Sequence, residues 1–97
     1  MSRTAIHPGE ILGDELKEIG ITGTELSRQI NVPVNRVLQI IAGKRSITAD
    51  TALRLGKWFG TTPKFWANLQ QSYDLKLAEQ KIAKEIEAIR PRSKEPA

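Results

Sequence analysis

Apolar residues along this chain recur at intervals of three and four, and no stretch alternates apolar with polar residues as a half-buried strand does, so the pattern predicts helices throughout. Leu12, Leu16 and Ile19 share one face of a first helix expected over about Pro8 to Glu18. Pro8 suits its opening turn, Glu10 favours the positive end of the helix dipole, and Gly20 ends it. Thr22-Gly23-Thr24-Glu25 has the form of a capping box. The Thr22 hydroxyl is expected to accept from the Glu25 N–H while the Glu25 side chain reaches back, with Ile21 and Leu26 placed as a hydrophobic staple. Leu26 and Ile30 give this second helix a short apolar face, and Asn31 suits the left-handed conformation just past its end. Pro33 prevents continuation and suits the start of a third helix, whose Val37, Ile40 and Ile41 recur at helical spacing until Gly43. Thr48, preceded by Ile47, caps a fourth helix bearing Ala52, Leu53, Leu55 and Phe59, closed by Gly60. Thr62-Pro63 opens a fifth, carrying Phe65, Trp66 and Leu69.

Beyond Tyr73 the period changes: Leu75, Ile82 and Ile89 recur every seven residues, with Ala78 and Ile86 beside them and a mixed-charge opposite face that includes Lys81 and Glu85. This predicts an amphipathic helix in search of a partner surface. No Gly or Pro lies between Pro63 and Arg90, which leaves open whether the fifth helix runs on into it. The expected organisation is an all-α fold with one globular domain over residues 1–74, a helical extension over 75–90 and a disordered, Pro-rich tail over 91–97.

Composition narrows the function classes. A chain of 97 residues has room for one core, and 39% apolar with 27% charged residues is ordinary for a globular protein. Zero cysteines remove disulfides, thiol nucleophiles and thiolate metal sites. The polar stretch Met1 to Ile11 does not read as a secretory leader, no apolar run is long enough to span a bilayer, and a cytoplasmic location is expected. The net charge of +4 favours anionic partners, and its distribution says more. From Arg3 to Gly20 the chain is acidic (Glu10, Asp14, Glu15, Glu18), whereas from Thr22 to Ile47 it is basic (Arg28, Arg36, Lys44, Arg45), which makes the middle segment the candidate anion-facing surface.

That segment also holds the candidate chemistry. A short helix, a tight turn and a second short helix with an apolar inner face can expose the first turn of the second helix, here Val34, Asn35 and Arg36, with Gln39 one turn on. Asn and Gln amides pair with adenine, Arg forks onto guanine, and an apolar side chain meets the thymine methyl, so these four are the expected base readers. Lys44, Arg45 and Ser46 after this helix, and Thr22, Gly23 and Thr24 before the preceding one, are the expected phosphate contacts. Competing with this is a plain solvated helix face. His7, the only histidine, is expected as a helix-start or packing residue, and no metal or cofactor site is expected. Asp14 and Glu18 are an ordinary surface pair, and no nucleophile stands paired with a base, so enzyme activity is not expected. Trp58, Phe65, Trp66 and Tyr73 fall outside the basic segment and are expected as core or interface anchors. Trp66, Leu69 and Tyr73 form one candidate dimer stripe and Leu75, Ile82 and Ile89 another, each equally suited to packing on its own domain.

The run His7-Pro8-Gly9-Glu10-Ile11-Leu12, then Glu25-Leu26-Ser27 with Val32-Pro33, the stretch Ala42 to Leu55 (AGKRSITADTALRL) and Gly60 to Gln70 (GTTPKFWANLQ) together resemble the HigA-type antitoxins, of the XRE class of phage-repressor-like helix-turn-helix proteins. The resemblance covers about Ile6 to Leu75. It implies a five-helix, lambda-repressor-like domain that dimerises, binds a palindromic operator in double-stranded DNA as a repressor, and neutralises a HigB-type mRNA-cleaving RNase toxin. A stand-alone regulator of the same class, without a toxin partner, is the alternative. The resemblance also implies a recognition helix over Pro33 to Ala42, with Val34, Asn35, Arg36 and Gln39 facing the bases. Val34 and Leu38 are apolar where polar residues are common, Asn31 replaces the usual turn glycine, and Ser27 replaces a small alanine.

Overall fold

The computed structural model describes residues 4–93, and residues 1–3 and 94–97, which include the end of the expected tail, lie outside it. Five helices follow in the order α1 (Pro8–Ile19), α2 (Gly23–Gln29), α3 (Val34–Ile41), α4 (Ala49–Phe59) and α5 (Pro63–Ala88), with no strand among the described residues. The all-α, helix-turn-helix architecture is the predicted one.

Local chemistry sets the boundaries. Thr22, Thr48 and Thr62 each turn a hydroxyl onto the backbone N–H three residues on, at 3.0, 3.4 and 3.2 Å. Such caps are each worth about 1 kcal/mol. His7 caps α1 in the same sense, its Nδ1 accepting the Gly9 N–H at 2.9 Å while its ring meets Tyr73 edge-on at 4.8 Å. At the other ends the chain leaves α1 through Gly20 (φ 74°) and the α2–α3 turn through Asn31 (φ 59°), both in the left-handed region. The capping box is only half formed. Glu25 does not return to Thr22; its carboxylate accepts from Arg28 and, at 2.9 Å, from Gln29, cations and amides one turn ahead being within easier reach.

The core joins Leu12 and Leu16 of α1, Leu26 and Ile30 of α2, Val37 and Ile40 of α3, Ile47, Ala52 and Leu55 around α4, and Trp66 of α5. Gly9 shows how tightly α1 meets α3: a Cβ there would lie 1.7 Å from the Ile40 carbonyl oxygen. Leu53, one of the apolar residues of α4, is exposed beside Trp58, because the inner arc is filled by Thr51, Ala52 and Leu55. Trp66, expected as a core or interface residue, takes the interior place. It is 1% exposed, stacked among Phe59 and Phe65 with its Nε1 donating to the Thr61 hydroxyl at 3.2 Å, so it belongs to its own domain's interior and offers no surface to a second copy.

The fifth helix runs on past Tyr73 into the extension and is kinked at Ile82, whose angles are non-helical (φ −119°, ψ 26°), α5 spanning 26 residues across that kink. Its first turns bury Trp66 and Gln70, whereas Leu75, Ile82, Ile86 and Ile89 all stand exposed. No helix among the described residues is long and apolar enough to cross a membrane.

Candidate nucleic-acid interface

The α2–α3 unit is held together from below. Ser27, fully buried where the helices cross, donates to the Thr24 carbonyl at 2.6 Å, and the Val32 N–H returns to the Ser27 carbonyl at 3.0 Å to close the turn. Val37 and Ile40 then fasten α3 to the core. Helical periodicity turns Val34, Asn35, Leu38 and Gln39 the other way, and all four are exposed. Gly23 brings the start of α2 onto the flank of that face: a Cβ there would sit 2.9 Å from Leu38 Cδ2 and 3.0 Å from Ile41 Cδ1. Thr22 and Thr24 are consequently displayed beside α3, although the Thr22 hydroxyl is already engaged as a cap.

Arg36 differs from its neighbours. It is half-buried, and its Nη1 donates to Asp50 Oδ1 at 2.7 Å. Arg54 Nε reaches the same oxygen at 2.8 Å, while its Nη1 donates to the Ile30 carbonyl at 2.8 Å and the Asn31 carbonyl at 3.3 Å. One carboxylate thus ties the first turn of α3 to α4, and through Arg54 to the turn between α2 and α3. Hydrogen bonds from Arg54 and then Arg36 hold the Asp50 carboxyl below its ordinary range. Glu25 is likewise lowered, by Gln29 first and Arg28 second. The Asp50–Arg54 pair has the i,i+4 spacing that sequence can offer, whereas the Arg36–Asp50 pair spans 14 positions and has no local signature.

The loop after α3 supplies the cations. Gly43 and Lys44 return their N–H groups to the Ile40 and Gln39 carbonyls at 3.0 and 2.8 Å, and Lys44, Arg45 and Ser46 are exposed. Arg45 Nη1 approaches Gln39 Oε1 at 3.3 Å, linking the loop to the outer face of α3. At its far end the Ile47 N–H donates to Gln70 Oε1 at 2.7 Å, a contact the sequence did not disclose. Val34, Asn35, Gln39, Lys44, Arg45 and Ser46 therefore share one continuous exposed surface, with Arg36 at its edge turned toward Asp50. Leu69 and Tyr73 lie elsewhere, half-buried in a shallow groove with Ile6 and Ile11. An array of amides, methyl groups and cations on a projecting helix can complement base edges and phosphates.

A helix-turn-helix family profile matches residues 12–66. Virulence-associated protein I of Dichelobacter nodosus is 49% identical over 77 residues, covering 78% of this chain and 71% of that protein. Among solved structures, an addiction module antidote protein of a HigA family from Coxiella burnetii superposes with a TM-score of 0.90 at 51% identity, covering 93% of this chain and all (100%) of that one. The Pseudomonas aeruginosa antitoxin HigA, solved with the higBA promoter, gives 0.88 at 42% identity, with 93% and 100% covered. Matching fold, matching identity over nearly the whole length and an α2–α3 unit built as described leave one conclusion: this chain belongs to the HigA antitoxin family of helix-turn-helix proteins.

Proposed function

We propose that this chain binds a palindromic operator as a homodimer in the cytoplasm, represses transcription there, and neutralises a HigB-type mRNA-cleaving toxin. The observation that carries DNA binding is the outer face of α3, where Val34, Asn35, Leu38 and Gln39 stand exposed while Val37 and Ile40 tie the helix to the core. The amides of Asn35 and Gln39 suit adenine, Val34 suits a thymine methyl, and Arg36 suits guanine once released from Asp50. Thr22, Gly23 and Thr24 on one side and Lys44, Arg45 and Ser46 on the other are the phosphate contacts in this reading. The promoter bound to the similar Pseudomonas aeruginosa protein supports it. The activity is binding, with no catalytic step.

In this arrangement residues 1–74 act as the DNA-binding domain and 75–90 as an extension. A dimer sets two copies of α3 in successive major grooves roughly 34 Å apart. Leu69 and Tyr73 remain the surface proposed for the second copy, and acidic α1 with the exposed stripe of α5 the surface for a basic toxin.

Binding to a duplex taken from immediately upstream of the chain's own coding sequence tests the DNA reading. Asn35→Ala and Gln39→Ala each cost about 1–3 kcal/mol on the preferred site. Equal affinity of wild type and both variants for every duplex tried removes them from base readout. Co-expression with the neighbouring gene tests the second half: a small basic protein should co-purify and lose its RNase activity, whereas purification alone favours a stand-alone regulator.

A further inference from the structure

We propose that Gln70 is a positioning residue for DNA phosphate contact: its buried amide, oriented by Asp74, sets the shape of the loop that presents Lys44, Arg45 and Ser46. The inference rests on the DNA-binding reading above and deepens it. Gln70 lies on α5, 6% exposed, in a helix whose other fully enclosed side chain is Trp66. Its Oε1 accepts the Ile47 N–H at 2.7 Å across 23 positions of chain, and its Nε2 donates to Asp74 Oδ1 at 3.0 Å one turn along. The second bond decides the first. A carboxylate accepts only, so it draws the amide nitrogen to itself and leaves the oxygen facing Ile47.

The loop is consequently pinned at both ends. Gly43 and Lys44 are returned to α3 by backbone bonds, and Ile47 is held by Gln70 while its own side chain is buried. Only the exposed middle, Arg45 and Ser46, is free of these anchors. Ordering a loop costs conformational entropy, and a loop ordered before DNA arrives does not charge that cost to binding. Removing the Gln70 acceptor leaves Ile47 with a buried, unsatisfied N–H, which is relieved by letting the loop swing out toward water. Arg45 and Ser46, between the two anchors, then lose the placement that the Ile47 anchor gives them although neither has been altered. The backbone of the reading helix α3 keeps its own fastenings, Val37 and Ile40 in the core and Arg36 on Asp50, and only the Arg45 contact to Gln39 is given up with the loop. The expected signature is selective: phosphate contact weakens and base preference does not.

The experiment measures affinity by fluorescence anisotropy, over a range of KCl concentrations, for the upstream duplex and a scrambled duplex of equal composition. For Gln70→Leu the slope of log K against log[KCl] falls by about 1–2, at roughly 0.9 per phosphate lost, and affinity drops about tenfold at low salt. The ratio between the two duplexes stays within about twofold of wild type, because base discrimination is carried by α3. Amide exchange of Ile47 in the free protein accelerates while that of Val37 and Ile40 does not. Asp74→Ala moves both readouts in the same direction by less. Combining Gln70→Glu with Asp74→Asn restores them, with donor and acceptor exchanged between the two side chains. Arg45→Ala has less effect on affinity in the Gln70→Leu background than in wild type.

An unchanged slope with Ile47 still protected in Gln70→Leu overturns the proposal, as does a collapse of the duplex ratio together with affinity. Should Gln70→Leu fail to fold, exposed Asp74 and the paired exchange decide: wild-type slopes in Asp74→Ala overturn it equally. Wild-type chain that binds neither duplex with salt dependence removes the DNA-binding reading and this proposal with it, whereas wild-type binding with unaltered variants removes this proposal alone.

Discussion

Gly9→Ala isolates the contact that sets α3 on α1. At an ordinary helix interior, Ala in place of Gly stabilises by about 1 kcal/mol. Here the added Cβ would stand 1.7 Å from the Ile40 carbonyl oxygen and 2.7 Å from its carbon, whereas Cβ contacts below 3.0 Å essentially never occur. Both obstructing atoms are backbone, so no rotamer change relieves the overlap; one helix must retreat by more than an ångström. Overpacking of this kind costs typically 1–3 kcal/mol or more, and it outweighs the propensity gain. The expected net loss is about 2 kcal/mol, read as a lower urea midpoint at unchanged m and one protein concentration. Gly20→Ala is the matched control. Nothing lies within 4 Å of a Cβ there, but φ is 74°, so the cost is conformational alone, about 1–2 kcal/mol. Because the retreat displaces the end of α3 next to Lys44, Gly9→Ala should also weaken DNA binding while Gly20→Ala does not. A Gly9→Ala protein as stable as wild type, with wild-type affinity, would refute the close-packing argument.

The other predictions concern charge and the interior. Since Arg54 and then Arg36 depress the Asp50 carboxyl, its stabilising contribution is present above the unfolded value of about 3.9 and is lost as pH falls through the lower folded one. Thermal melts of wild type should therefore fall more steeply below about pH 4 than those of Asp50→Asn, and parallel curves would show that the ion pairs carry no folding energy. Trp66→Ala should cost about 3–5 kcal/mol, by the same amount at low and high protein concentration, because the ring fills its own domain. A loss that appears only in the concentration range where copies associate would return Trp66 to an interface.

Much of the scaffold was legible because its signals are local. Thr22, Thr48 and Thr62 cap the helices they were expected to cap, Asn31 adopts the left-handed angle, and the inner residues of α3 follow from spacing alone. What periodicity does not say is which apolar positions find cover. Leu53 belongs to the apolar set of α4 yet faces water, while Trp66, a core or interface candidate by sequence, is enclosed beside Phe59 of the preceding helix and Phe65 of its own. The exposed face of α3 was likewise visible as a candidate surface. The partners that hold it were not, since Arg36 to Asp50, Arg54 to Ile30 and Ile47 to Gln70 join residues 14, 24 and 23 positions apart. The departure at Ile82 has no Gly or Pro to announce it.

Of the eight residues in α3, only Val37 and Ile40 are fully enclosed. In the proposed DNA-binding role, the duplex would thus be spelled by side chains the interior does not use. On the proposed reading, rewriting the exposed Val34, Asn35 and Gln39 should re-address the chain with little penalty in folding, so long as the two inward anchors and the Arg36–Asp50 tie are kept.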